Sequence, residues 1–175
     1  MLSGGDFTDP GNLARSGMKS IRTLLVRLKE RNEREDFGGT LRQRIMPPDP
    51  FGPVATLDPR ISKQLTPMLR ERFSFAGEWT NAATGGRWLS LPGMQMLPKQ
   101  TKVRRQIRLR VENWKQSPVA TFPRNRLSLF GIDESECDET YLLWSDSKEP
   151  EVVAFYSWEE KRFRDLQAYL EFLIG

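Results

Sequence analysis

The final third of the chain constrains the fold most. Arg126 to Ile132, Thr140 to Trp144 and Glu151 to Tyr156 are short runs of β-branched, aromatic and aliphatic residues, the composition that settles on a pleated, packed surface. Ser145 to Pro150, reading SDSKEP, makes a tight polar connection between the last two. Val119 to Phe122 reads as one more short strand ahead of the turn at Pro123. From Arg162 to Ile174 the period becomes helical, with Phe163, Leu166, Tyr169, Leu170 and Leu173 on one stripe.

The earlier residues supply helices and connections. Ser16 to Glu35 places Met18, Ile21, Leu24, Leu25 and Leu28 at helical spacing, with Ser16 or Ser20 as cap and Phe37, Gly38 and Gly39 as the stop. IMPPDPFGPV, with Pro47, Pro48, Pro50 and Pro53, is a rigid extended connection. Asp58–Pro59 and Thr66–Pro67 each look like a helix start, giving two short helices joined at Thr66. Glu78 to Leu89 reads as a hairpin bent at Gly85 and Gly86, with Trp79 and Trp88 available to lock a sheet onto helices. Leu91 to Lys99 reads as a loop with apolar teeth. Residues 103–114 fit either state: Val103, Ile107, Val111 and Trp114 share a helical face, whereas Ile107, Leu109 and Val111 alternate with arginines as in a strand. The helical pattern spans more residues and is preferred.

At 175 residues the chain suits one domain. The expectation is an α+β fold of two layers, an antiparallel sheet of about five to six strands against N-terminal and C-terminal helices. Residues 1–15, rich in Gly, Asp and Pro without periodicity, read as a flexible arm, and residues 16–175 as the domain.

Residue counts remove several chemistries. The chain has no His, which excludes imidazole metal sites and His-based triads. Cys137 is the single cysteine and stands among Glu136, Asp138 and Glu139, whose charge disfavours the thiolate a nucleophile needs. No phosphate loop, dinucleotide fingerprint or nucleophile elbow occurs. Asp133, Glu134, Glu136 and Asp138 do not meet the spacing of a calcium loop. The expectation is a non-enzyme without metal or cofactor. No apolar run of about 18 residues is present, and Met1 to Asp9 lacks the segments of a signal peptide, so a cytoplasmic location without membrane contact is the default.

A formal charge of +4 conceals a division: residues 1–125 hold 22 Lys or Arg against 11 Asp or Glu, and residues 126–175 hold 5 against 12. If the two groups occupy separate surfaces, the late carboxylates form an acidic docking face. The basic segment Lys99 to Lys115 offers an alternative, a nucleic-acid-binding helix face built from Lys102, Arg104, Arg105, Arg108 and Arg110; a solvated helix face is the ordinary explanation for such a cluster.

Three stretches resemble the SUKH superfamily, the domain shared by yeast cell-wall assembly regulators of the Smi and Knr type and by many bacterial immunity proteins. ISKQLTPMLRERFSFAG carries Ile61, Leu65, Pro67, Leu69, Phe73 and Gly77, SLFGIDESECDETYLLW spans Ser128 to Trp144, and EPEVVAFYSWEEKRFRDLQAYLEFLI supplies the final strand and closing helix. Ala76 stands where the family usually has Asn, and the family's usual tryptophan is absent from the first helix. The resemblance implies a SUKH-like fold and a protein that binds and silences a bacterial toxin, commonly a nuclease or deaminase. Such an inhibitor needs complementary charge and aromatic anchors. Asp133, Glu134, Glu136, Asp138, Glu139 and Asp146 are the candidate carboxylates for a basic toxin surface. Trp144, Tyr156 and Trp158 are the candidate anchors, with a core position for Trp144 and Tyr156 as the alternative from strand phase. Oligomeric state is left open.

Overall fold

A computed structural model describes residues 20–35, 42–83, 86–135, 137–156 and 159–175. The arm at 1–15, the cap at Ser16, the stop at Phe37 to Gly39, Gly85, Glu136 and Trp158 lie outside the described residues.

The chain is a mixed α+β fold in which antiparallel strands pack against several helices. Helix α1 (Ile21–Arg34) opens at Ser20, whose hydroxyl accepts from the Thr23 amide at 3.2 Å, and buries Ile21, Leu24, Leu25 and Leu28. This is the expected stripe, because its apolar residues recur at one helical period. Strand β1 (Arg44–Ile45) precedes the proline-rich connection, and β2 (Val54–Ala55) pairs with β3 (Ser62–Lys63) as a separate small hairpin. The helix expected at Pro59 does not form. The Asp58 carboxylate instead accepts from the Arg60 amide at 3.1 Å, a local turn, and Thr56 Oγ1 donates to the carbonyls of Asp58 and Ile61; such side chains compete with the helix for backbone groups.

Helix α2 (Pro67–Phe75) begins at the expected Thr66–Pro67 step and buries Leu69, Arg72 and Phe73. Its exit depends on Gly77, where a Cβ would collide with the Pro47 carbonyl oxygen. The hairpin of β4 (Trp79–Thr80) and β5 (Arg87–Trp88) sets Trp79 opposite Trp88, ring centroids 5.6 Å apart, both in the core. Residues 91–99 are ordered as helix α3 (Leu91–Met96) and a 3-10 turn (Leu97–Lys99) where a loop was expected. Ser90 Oγ caps α3 by accepting from Gly93 N at 3.1 Å, and Pro92 sits in its first turn, where no internal donor is lost. Helix α4 (Thr101–Asn113) confirms the helical reading of the ambiguous stretch. Pro118–Thr121 is a short helix, α5, in place of a strand, because Ser117 Oγ accepts from Val119 N and proline occupies the first position.

Strands β6 (Leu127–Asp133), β7 (Asp138–Leu143), β8 (Glu151–Tyr156) and β9 (Glu159–Phe163) complete a sheet ordered β1-β4-β5-β6-β7-β8-β9. Seven strands therefore replace the expected five to six. Strands β1 and β9 are additions to the expected set, and β9 takes residues assigned to the start of the last helix: Phe163 pairs with Val152, and helix α6 (Leu166–Ile174) begins only after Asp165, whose carboxylate accepts from Ala168 N at 2.8 Å.

The sheet is covered on both faces, which corrects the two-layer expectation. Every residue of β6 and nearly every residue of β7 is buried. On one face α1 lies against α2 and α6, and Tyr169 of α6 packs on Trp88. On the other, Trp114 at the end of α4 meets Phe155 with ring centroids 5.3 Å apart. A strand buried on both faces is a near-continuous apolar run without alternation, as LSLFGI and TYLLW are.

Candidate functional site

The β6–β7 turn and the end of β8 meet at one end of the sheet. Thr140 pairs with Ala154, so two residues further along Asp138 stands opposite Tyr156 on the same face. Glu134 and Cys137 complete this rim, and Glu159 begins the neighbouring β9. The structure thus brings together Glu134, Asp138 and Tyr156 of the expected partner-binding set. Asp146 lies exposed in the β7–β8 connection at the opposite end, 3.7 Å from Arg126.

The other described members are interior. Asp133 is buried, and its Oδ1 accepts from the Ser135 amide at 2.8 Å and the Ser135 hydroxyl at 2.6 Å, so it shapes the turn. Trp144 is buried and donates through Nε1 to Ser128 Oγ at 2.9 Å. Strand phase, the alternative reading, accounts for its place. Tyr156 is half-buried, its hydroxyl 3.2 Å from that of Tyr169, and burial pushes its phenol well above the ordinary value.

Glu139, 2% exposed, forms the buried anchor of the region. Its Oε2 accepts from Arg110 Nε at 2.7 Å, while the same guanidinium donates to the Cys137 carbonyl at 2.6 Å and lies 4.2 Å from the Phe155 ring centroid. Burial raises the Glu139 carboxyl above its usual range, and Arg110 opposes the rise. Gln106 of α4 donates to the Asp133 carbonyl at 3.3 Å. The central part of the basic helix is therefore clasped to the acidic hairpin, and Arg110 is unavailable to phosphate.

Lys102 and Arg87 both reach Glu134, at 3.4 and 2.8 Å. The separate acidic and basic surfaces expected from the sequence do not exist in that form: Glu134, Glu139 and Asp146 each have a cation beside them. Opposite charges distant in sequence attract across a fold, and the division at residue 125 carried no information about their placement. Arg87 was the member missed, because nothing within β5 singles it out.

The outer face of α4 differs. Arg104, Arg105 and Arg108 are exposed with Lys102, while Val103, Gln106, Ile107 and Arg110 point inward. A cleft of about 420 Å³ opens elsewhere, beside β1 and β4, lined by Arg44, Met46, Asp49, Glu78, Thr80 and Ser90. Among the described residues no group of three or more acidic or cysteine side chains could hold a metal ion. No helix among them is long and apolar enough to cross a membrane. Comparison with family models, curated proteins and solved structures found no match to the chain.

Proposed function

We propose that this chain acts by binding, as an immunity protein of the SUKH kind that neutralises a bacterial protein toxin through protein–protein contact. The observation that carries the reading is where the three resembling stretches fall in the fold. Leu69 and Phe73 pack the inner side of α2 and Gly77 closes its exit; β6 and β7 flank the acidic turn; β8 and β9 lead into α6, which Asp165 caps. The first stretch supplies a covering helix and the other two supply adjoining strands of the large sheet and its closing helix, an arrangement that agrees with what the resemblance implies.

The contact surface on this reading is the rim at the sheet end, with Glu134, Asp138, Glu159 and the half-buried ring of Tyr156. Loops and turns carried by a rigid sheet are the usual place for recognition. Glu134 and Glu159 already have Arg87, Lys102 and Lys161 beside them, so on this reading the rim recognises its partner by shape and by the Tyr156 ring, whose desolvation would slow dissociation. Glu139 and Asp133 support the rim from within, whereas Trp144 is buried at the opposite end of the sheet.

Coexpression with toxins encoded beside this gene tests the proposal. The expected result is restored growth together with a complex that survives size-exclusion chromatography. Failure of every adjacent toxin to be neutralised, with none retained on the immobilised chain, would refute it.

A further inference from the structure

The outer face of α4 is a second charged surface, distinct from the rim. Lys99, Arg104, Arg105, Arg108 and Lys115 are all exposed, and Arg104, Arg105, Lys99 and Lys115 have no ion-pair partner among the described residues. Arg108 has only Glu112 at 3.8 Å, both groups well exposed, a contact worth little in water. The first turn of α4 carries no carboxylate. The neighbouring 3-10 turn, Leu97–Lys99, and α5, Pro118–Thr121, bring none either.

Rigidity distinguishes this face from an ordinary solvated one. The inward side of α4 is held by Val103 and Ile107 in the core, by the Gln106 bond to the Asp133 carbonyl, and by the buried Arg110–Glu139 pair. The backbone that carries the outward arginines is thereby fixed, and Arg104 and Arg108 rise about 6 Å apart along the axis, at about 1.5 Å per residue. Arg108 has the exposed Glu112 beside it and Lys102 is held by Glu134, while a polyanion that engages the remaining cations gains from release of its own counterions.

We infer that this face binds the phosphate backbone of duplex nucleic acid without reading its sequence. Charge complementarity selects a polyanion, and the make-up of the face favours nucleic acid over an acidic protein. The face offers guanidinium groups suited to phosphate oxygens, but no exposed aromatic anchor of the kind that protein hot spots use. The absence of exposed rings on α4 also argues against stacking with unpaired bases. This inference goes beyond toxin binding and does not rest on it.

Fluorescence anisotropy with a labelled mixed-sequence DNA duplex, repeated with the RNA duplex of the same sequence, tests it across a salt series. The unmodified chain is expected to bind at least one duplex, with log affinity falling about 3 to 4 per log unit of salt if four phosphates are engaged. The triple variant Arg104→Gln, Arg105→Gln, Arg108→Gln should lose at least about tenfold in affinity and about 2 to 3 of that slope. A control triple on the exposed side of α1, Arg22→Gln, Arg27→Gln, Arg34→Gln, removes the same charge and should leave binding within about twofold. Circular dichroism should show both variants folded, since all six side chains are exposed. Absence of binding to both duplexes at low salt overturns the inference, as does equal loss in the two triples. Displacement of the duplex by poly-glutamate at equal charge concentration would instead assign the face to an acidic protein and overturn it too.

Discussion

Removing the Arg110 guanidinium should destabilise the protein in a pH-dependent way. In Arg110→Met the aliphatic stem is kept, but Glu139 remains buried without its partner at 2.7 Å and the Cys137 carbonyl loses its donor. Breaking a buried pair by deleting one member costs about 3–5 kcal/mol at neutral pH, a fall of roughly 6–20 °C in Tm for a domain of this size. The cost should shrink in acid. Burial already raises the Glu139 carboxyl above 4.5, and losing Arg110 raises it further. Between the unfolded and folded values the native variant holds a proton that the unfolded chain has released, so its stability is greatest below the unfolded value and declines as pH rises through the folded one. Each pH unit between the parent's folded value and the higher one of the variant adds about 1.4 kcal/mol to the deficit. Urea denaturation from pH 4.5 to 8 measures the gap between variant and parent. Adding Glu139→Gln should recover most of the loss at pH 7 and flatten the profile. A gap that stays constant with pH, or a double variant no more stable than the single, would refute the account of a charge stranded in the core.

Arg72 is fully buried, donates to the Ala76 and Gly77 carbonyls, and has Phe73, Trp88 and Phe130 rings within 4.9 to 5.7 Å. Desolvation lowers its pKa to about 9, so the Arg72 contribution to stability should increase as pH rises through 9, because the unfolded chain keeps the proton that the native state surrenders; thermal melts of parent and variant from pH 7 to 10 read this. Arg72→Met should remove that alkaline gain while costing about 2–4 kcal/mol for two buried carbonyls left without donors, measured by urea denaturation. Gly77→Ala should cost at least about 1 kcal/mol, since the chain must shift from the Pro47 carbonyl, and its Tm checks this. Asp165→Ala should lower stability by about 1 kcal/mol through loss of the α6 cap, with hydrogen exchange rising first at Ala168.

Local signals were readable where one residue type has one local use. Ser20, Thr66–Pro67 and the stripes of α1 and α6 announce their helices in the sequence, and strands β6, β7 and β8 appear within a few residues of their bounds. Elements that depend on tertiary partners were not readable. Glu159 to Phe163 is mostly charged and becomes a strand only because β8 offers it a pairing edge. Leu91–Met96 contains Pro92 and Gly93 and still forms a helix on the sheet, through its Ser90 cap and buried Leu91 and Met94. The unbroken apolar runs of β6 and β7 carry the signal for cover on both faces, which the order of helices and strands along the chain does not. The candidate site was half legible: clustering of carboxylates in sequence located the turn, but only the fold decides that Glu139 meets Arg110 inside while Asp138 stands at the rim.

A sheet roofed and floored by helices leaves little bare strand for recognition. If the chain acts by binding, as proposed, novelty must then enter at its hairpin tips, where lengthening or exchanging a few residues between β6 and β7 would alter what is grasped without disturbing the packed sheet. The architecture separates the parts that must stay fixed from those free to diversify, so a lineage could change its quarry while keeping its frame.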